Sequence, residues 1–514
     1  MSKQKSDTLF QLIKSMKKAE KRYFKLSGSR DDSTLQTKYL KLFDLIAMQK
    51  DFDEDAIIKK ANFIASGQFS NLKANLYKKV LQSLRQFNSQ SVLDLQIREL
   101  IDYAQILFNR SLYKQCDSML KKAKNLAKRS DNMELLLEIL KWERHVLSQV
   151  LASDDKHRAN NIIEEVQMVN NRINKVNLFT NLRLKLNSLY LNIGFIRSEE
   201  DFKNVQQIFR SSLPNYDENT LSLSEKMNLY SLYADYYFFI RNFEQAYVYA
   251  KKSFELFDSK SLIYSRLENY IKVLNSLMIA QARLFKYDEF IKSKRTLRSL
   301  RSLPAIAINE NINKKLFKYT YVHEFNAIFM RGDFKHGVAL INKIKPNLEL
   351  YIDALDNHSR IILYYKIGCL YFGNDDFKEA ISWLNRIINS ENVDLRKDIH
   401  GFARILNLIS HYELGNTDVL EYFVRSTYRF LLKKEELHQY QKIILNFLKR
   451  LSGNISDKEM MERFETLLRQ LRPLVNNPFE KRAFIYFDII SWLESKIQGS
   501  SVQKIIKKKA IHLV

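Results

Sequence analysis

Residues 364–388 read YYKIGCLYFGNDDFKEAISWLNRII, and their pattern decides the fold. An apolar, aromatic-rich stretch runs from Tyr364 to Phe372. A polar turn, Asn374-Asp375-Asp376, follows, then Phe377, then the small Ala380 three positions on. Leu384, Ile387 and Ile388 then recur at the three- and four-residue spacing that lines one side of a helix. Two such helices joined by a short polar turn make an antiparallel hairpin.

The phrase recurs in Tyr230–Leu256, Tyr321–Pro346 and Leu100–Leu126. The aromatic after each turn serves as a register mark: Tyr113, Phe202, Phe243, Tyr287, Phe334 and Phe377. From Phe202 onward the marks step by 41, 44, 47 and 43 residues. The first gap is 89 residues, about double, with the polar turn Ser153-Asp154-Asp155 in its middle. Turns at Gly415-Asn416 and Gly453-Asn454 continue the register. Eight or nine hairpins with a period of about 40–47 residues are therefore expected from residue 92 onward. Pro214 and Pro346 each lie 12 residues beyond their mark, where the second helix is expected to end.

This pattern resembles the tetratricopeptide repeat family. The family places a small residue in the first helix and small residues 12 and 19 positions later. Ala104, Cys116 and Ala123 match it, as do Ala234, Ala246 and Ser253; Gly368 and Ala380 match with Ile387 departing. Around Tyr287 the small residues are replaced by Met278 and Phe290. Closely crossing helices leave room for little beyond a Cβ at such points. The period exceeds the family's 34 residues, and HEAT or armadillo repeats of 40–47 residues remain the alternative. The fold class expected is all-α: a right-handed superhelical solenoid of antiparallel hairpins over residues 92–514, with an N-terminal helical cap over residues 1–91.

In residues 1–91, Leu9, Leu12, Ile13, Met16, Tyr23 and Phe24 form an apolar stripe interleaved with Lys14, Lys17, Lys18, Lys21, Arg22 and Lys25. A short helix near Ala56–Ala61, a turn at Gly67 and a helix opening Ser70-Asn71-Leu72-Lys73 outline a helix-turn-helix reader. On that reading Asn71 and Asn75 meet base edges, and Lys73, Lys78, Lys79 and Arg85 meet phosphates. The layout is also like that of some bacterial peptide-sensing regulators. The competing reading is a cap shielding the open end of the array, and a third is a basic helix lying on an anionic membrane surface.

Eleven glycines and five prolines in 514 residues are too few for sheets with tight turns or for phosphate loops. Lys and Arg total 83 against 58 Asp and Glu, a net charge of +25 that favours an acidic partner, nucleic acid among them. Cys116 and Cys369 read as packing residues of a protein in a reducing compartment, and a cytoplasmic location is expected. The N-terminal MSKQKSDTLFQLIKSMKK lacks the features of a secretory signal. The most apolar run, Tyr230–Ile240, holds Asp235 and is too short to span a membrane. Phosphate-loop, nucleophile-elbow and zinc-protease motifs are all missing: His323-Glu324 is followed by Ala327 where a second zinc ligand belongs. No cofactor, metal or catalytic role is therefore expected.

A stacked array exposes a concave face lined by first helices. The family resemblance places groove residues just after the small residue: Gln105, Phe108 and Asn109; Asp235 and Phe238; Ile328 and Arg331; Cys369 and Phe372. Polar side chains there would clamp an extended peptide backbone, and aromatics would hold its apolar side chains. Outer basic patches fall at Lys114, Lys121, Lys122, Lys124, Lys128 and Arg129, at Lys292, Lys294, Arg295, Arg298 and Arg301, and at Lys507–Lys509. The expected function is a non-enzymatic scaffold for a protein or peptide. The alternative is a nucleic-acid-binding regulator or a ribosome- or RNA-associated factor.

Overall fold

The computed structural model describes the chain apart from residues 1–7, 29–33, 62, 65–66, 90–91, 150–154, 304–305, 307–308, 354, 391–393, 435–436, 452–455, 478–479, 481–487 and 512–514. The expected turn residues Ser153, Asp154, Gly453 and Asn454 lie outside the described residues. Among the described residues there are 25 α-helices, three short 3-10 turns and no strand. No helix is long and apolar enough to cross a membrane. The chain divides into two compact units, Met1–Ile173 and Asn174–Val514.

Unit 1 opens with α1 (Thr8–Ser15), α2 (Lys18–Gly28), α3 (Thr34–Met48), α4 (Glu54–Lys60) and α5 (Phe69–Asn88). These close around a core of their own that includes Leu9, Ile13, Met16, Phe24, Phe43, Ile57 and Leu76. Four residues of the predicted N-terminal stripe are buried there; Leu12 and Tyr23 are only half-buried. A second core joins α6 (Leu93–Asn109), α7 (Tyr113–Arg129), α8 (Met133–Gln149) and the first half of α9 (Asp155–Ile193).

The α9 helix revises the expected register. Residues 155–193 contain neither glycine nor proline, so nothing halts helix propagation until Gly194, which adopts a left-handed φ of 72°. Ile162 and Val169 from its first half enter the second core of unit 1. Phe179, Leu182 and Leu186 from its second half enter a core of unit 2. One 39-residue helix thus contributes to two cores. Phe202 is accordingly not a mark of the same kind: α10 (Glu199–Ser212) begins three residues before it.

Unit 2 continues with α11 (Leu223–Phe239), α12 (Phe243–Glu255), α13 (Lys260–Ser265), α14 (Leu267–Arg283), α15 (Tyr287–Ser299), α16 (Glu310–Arg331) and α17 (Phe334–Asp353). Then come α18 (Asn357–Gly373), α19 (Phe377–Ile388), α20 (Lys397–Glu413), α21 (Thr417–Lys433), α22 (Gln439–Lys449), α23 (Asp457–Leu471), α24 (Ile489–Ile497) and α25 (Val502–Ile511). The α11 helix packs on α12, α12 on α14, and from α14 onward each helix packs on its successor, while α14, α16, α18, α20 and α22 also pack each on the next in that series. The largest core runs continuously from Phe317 to Val502. Close crossing accounts for the small residues: a Cβ on Gly368 would lie 3.0 Å from Leu384. Pro214 follows the end of α10, as expected. Pro346 does not end its helix, because α17 runs on through it to Asp353.

One turn geometry recurs. Ser111, Arg241, Phe285, Gly332, Asp375 and Gly415 all have left-handed φ, between 53° and 72°. In each turn the next N–H reaches back to the carbonyl five residues earlier: Leu112 to Leu107, Asn242 to Tyr237, Lys286 to Gln281, Asp333 to Ile328, Asp376 to Tyr371 and Asn416 to His411, at 2.9–3.2 Å. This is the Schellman arrangement, which satisfies carbonyls orphaned at a helix end. Two residues after the left-handed position stands an aromatic in five of the six turns, Tyr113, Phe243, Tyr287, Phe334 or Phe377, and Thr417 in the sixth, each the first residue of the second helix. Four of these rings pack on an aromatic five residues earlier: Phe108–Tyr113 at 5.5 Å, Phe238–Phe243 at 5.7 Å, Phe329–Phe334 at 6.0 Å and Phe372–Phe377 at 5.2 Å.

Within unit 2, the end of α9 meets the start of α20. The Arg396 N–H donates to the Leu191 carbonyl at 2.9 Å. Its guanidinium lies 4.9 Å over the Tyr190 ring and holds Asp398 through two bonds of 2.9 Å. A Cβ on Gly194 would collide with the Asp398 carboxylate.

Candidate partner-binding face

The expected groove residues fall into three kinds of place. Gln105 and Asn109 are exposed on α6, beside the exposed Tyr103 and Ile106. Arg331 is exposed and lies over the Tyr287 ring. Asp235 is half-buried and accepts from Arg183 Nε at 2.5 Å, so its carboxylate is already engaged.

The apolar candidates are corrected by the structure. Phe108 and Phe238 close their turns against Tyr113 and Phe243, and Phe238 also touches Tyr190 and Phe195. Ile328, Cys369 and Phe372 are buried in the main core of unit 2. Burial pushes the Cys369 thiol up to about 12, which leaves it protonated and unreactive at neutral pH. For Phe108, Phe238 and Phe372 the physical reason is common: the position five residues before the register aromatic is where its ring must rest.

The helix-turn-helix candidates divide similarly. Asn71, Asn75 and Lys78 are exposed on α5. Lys73 pairs with Glu54 at 2.8 Å and lies over the Phe52 and Phe69 rings. Lys79 lies over Tyr39, and Arg85 pairs with Asp102 at 2.7 Å. The outer basic patches are also partly engaged. Lys124 and Lys128 hold Glu165, Lys294 and Arg298 hold Glu324, Lys507 pairs with Asp333, and Lys509 pairs with Glu494. Cys116 is buried and unbridged, as the sequence predicts.

Sequence reasoning missed a polar seam that crosses the first helices of unit 2. Lys366 on α18 donates to Asn326 Oδ1 on α16 at 2.7 Å. The Asn326 amide stands 3.3 Å from His323 Nδ1, and His323 Nε2 stands 3.0 Å from Asn275 Oδ1 on α14. One proton arrangement serves all three contacts. Lys366 donates to Asn326, Asn326 donates to Nδ1, and the Nε2–H of a neutral ring donates to Asn275. Burial, and then the charge of Lys366, push the His323 imidazole down to about 3, consistent with that neutral ring. Burial and the nearby Arg283 bring the Lys366 ammonium down to about 7.

The seam extends to either side. Lys315 on α16 reaches Glu268 on α14 at 2.6 Å. Lys318 on α16 donates to Ser359 Oγ at 2.9 Å, and Ser359 in turn donates to Asp356 at 2.6 Å. Burial lowers the Lys318 pKa and lifts the Tyr319 phenol to about 12. His358, with Nδ1 buried and without a partner among the described residues, is pushed down to about 4 by burial and then by Arg396. Arg183–Asp235 joins α9 to α11 in the same manner. Lone polar residues inside apolar helices were the available signal: Lys366 is the one charged residue between Arg360 and Asp375. No group of His, Cys, Asp and Glu suited to a metal occurs among the described residues. No protein-family model and no curated protein matches the chain.

Proposed function

We propose that the hairpins are tetratricopeptide-like repeats wound as a right-handed solenoid, and that the chain is a cytoplasmic binding scaffold, not an enzyme. Its concave face is formed by the first helices of unit 2, and an extended segment of a protein partner lies along it. The polar seam carries this reading. Packing alone would fill helix–helix contacts with apolar side chains, because burying polar and charged groups costs free energy even when they are paired. Polar contacts between α9 and α11 and among α14, α16 and α18 offer donors, acceptors and rings that suit the clamping of a peptide backbone. A photo-crosslinking residue replacing Tyr319, with one replacing the exposed Tyr428 on α21 as control, tests it. The expected result is a discrete adduct to one peptide stretch from Tyr319 alone, persisting after nuclease treatment and in high salt. Equal adducts at both positions, or none at Tyr319, would overturn it.

A second reading, a nucleic-acid partner at the N-terminal helices, has one observation in its favour. The Lys21 ammonium is held below its ordinary pKa by burial and then by the charges of Lys14 and Lys25. Crowded cations of this kind are relieved by a polyanion. Binding through them would weaken steeply with salt as counterions are released. Replacing Lys14, Lys21 and Lys78 with Glu would then abolish RNA binding, whereas binding that persists would remove the N-terminal helices from the interface.

A further inference from the structure

A cavity of about 80 Å³ opens between α9, α11, α12 and α14. Three cationic side chains line it, Arg183, Arg266 and Lys272, together with the amides of Asn228 and Asn269. None of its lining residues is acidic. Ser253 of α12 also lines it and is 2% exposed, and its hydroxyl has no hydrogen-bond partner among the described residues. A serine inside a helix ordinarily donates to the carbonyl one turn back, and a buried hydroxyl left unmatched is costly. We infer that this cavity is a binding site for one phosphate-sized oxyanion.

Charge, size and donor placement agree. Arg183 is paired with Asp235, and Lys272 shares Glu268 with Lys315 at 2.7 and 2.6 Å. Arg266 Nη1 reaches Ser224 Oγ at 3.0 Å. Lys272 and Lys315 are thus two cations on one carboxylate, an excess of positive charge at the wall that an oxyanion neutralises. The donors come from four helices and converge from several directions, which suits a tetrahedral anion better than the flat edge of a carboxylate. Backbone packing of adjacent hairpins holds them in place, so little ordering is needed on binding. The anion has two sources of the same chemistry: a phosphorylated side chain of a segment on the adjoining seam, or a free small phosphomonoester. The cavity stands without the peptide reading, since inorganic phosphate alone tests it.

The test is calorimetric titration of the full chain with inorganic phosphate, then with free phosphoserine, then with a phosphoserine peptide and its unphosphorylated twin. Saturable phosphate binding is expected. Lys272→Met should weaken it about tenfold or more, as for the loss of a charge-assisted bond. Ser253→Ala should weaken it about threefold to tenfold. The latter substitution removes a hydroxyl that bonds nothing among the described residues, so the thermal midpoint without phosphate should not fall, and misfolding cannot imitate the result. A phosphopeptide binding far tighter than free phosphoserine would identify the source as a protein partner. Equal affinities would identify a small phosphomonoester. Absence of phosphate binding at millimolar concentration, or binding unchanged by both substitutions, would overturn the site while leaving the peptide reading open to its own crosslinking test.

Discussion

Hairpin α6–α7 in unit 1 and hairpin α18–α19 in unit 2 turn in the same way and bury different things. Ser111 and Asp375 take the same left-handed conformation, and the same reach of five residues joins Leu112 to Leu107 and Asp376 to Tyr371. Phe108–Tyr113 and Phe372–Phe377 stack edge to face in both. Yet α6 leaves Tyr103 and Ile106 about half exposed, at 46% and 53%, while Phe372 is wholly buried and α18 inserts Lys366 into a seam of neighbours. Turn chemistry is local and repeats with the sequence; the face of a first helix is set by the helices that flank it.

Acid should separate the two units most. His145 and His157 of unit 1 are exposed, while unit 2 holds His323, which is buried, and His358, which is half-buried. Their folded pKa values, about 3 and about 4, lie below the ordinary value of 6.5. Above pH 6.5 both states are neutral and the stability is whole; as pH falls, the unfolded chain takes up protons first and stability is lost down to the folded values. Hydrogen exchange at pH 7 and pH 4 should show α16 and α18 losing protection by on the order of several kcal/mol, and α1–α5 losing far less. Equal losses in both units would break the comparison. Lys366 works the same way at higher pH, adding stability between about 7 and its ordinary 10.5.

Truncating the paired aromatics comes next. Phe372→Ala should cost about 3–5 kcal/mol, and the half-buried Phe108→Ala roughly half that. Urea unfolding of the two variants measures the difference; equal costs would mean that the turn contact alone, and not the surroundings, fixes their worth. The smallest effect concerns the turns themselves. Phe285 is 43% exposed and holds a φ of 53°, which glycine adopts without strain. Phe285→Gly should stabilise the chain by about 0.5–1 kcal/mol, and a thermal midpoint that falls would show the Phe285 ring to be doing more than occupying a turn.

Much of the fold was legible because its turns are written locally. Tyr113, Phe243, Tyr287, Phe334 and Phe377 each begin a second helix, as the spacing predicted. Phe202 misled because it lies inside α10, which begins at Glu199, and the lack of a glycine between 155 and 193 was the overlooked signal of the unbroken α9 before it. Pro346 misled because a helix held by Ile344, Leu348 and Ile352 in the core tolerates one missing N–H. The candidate face was far less legible. Phe108, Phe238 and Phe372 recur with the repeat, but recurrence marked the turn contact and not a groove. Lys366, His323 and Asn275 are 43 and 48 residues apart in the chain, and only the packing of α14, α16 and α18 brings them together.

The meeting of α9 with α20 has a further consequence. A simple array of repeats can gain or lose a member by duplication or deletion, because each member touches only its neighbours. Here Tyr190 and Gly194 are fitted to Arg396 and Asp398, so every hairpin between them has a fixed place. Adding or removing one would part the guanidinium from its ring and strand the charge of Asp398. Over its second unit this chain has a counted length, and its lineage should show repeats that diverge in sequence while their number stays constant.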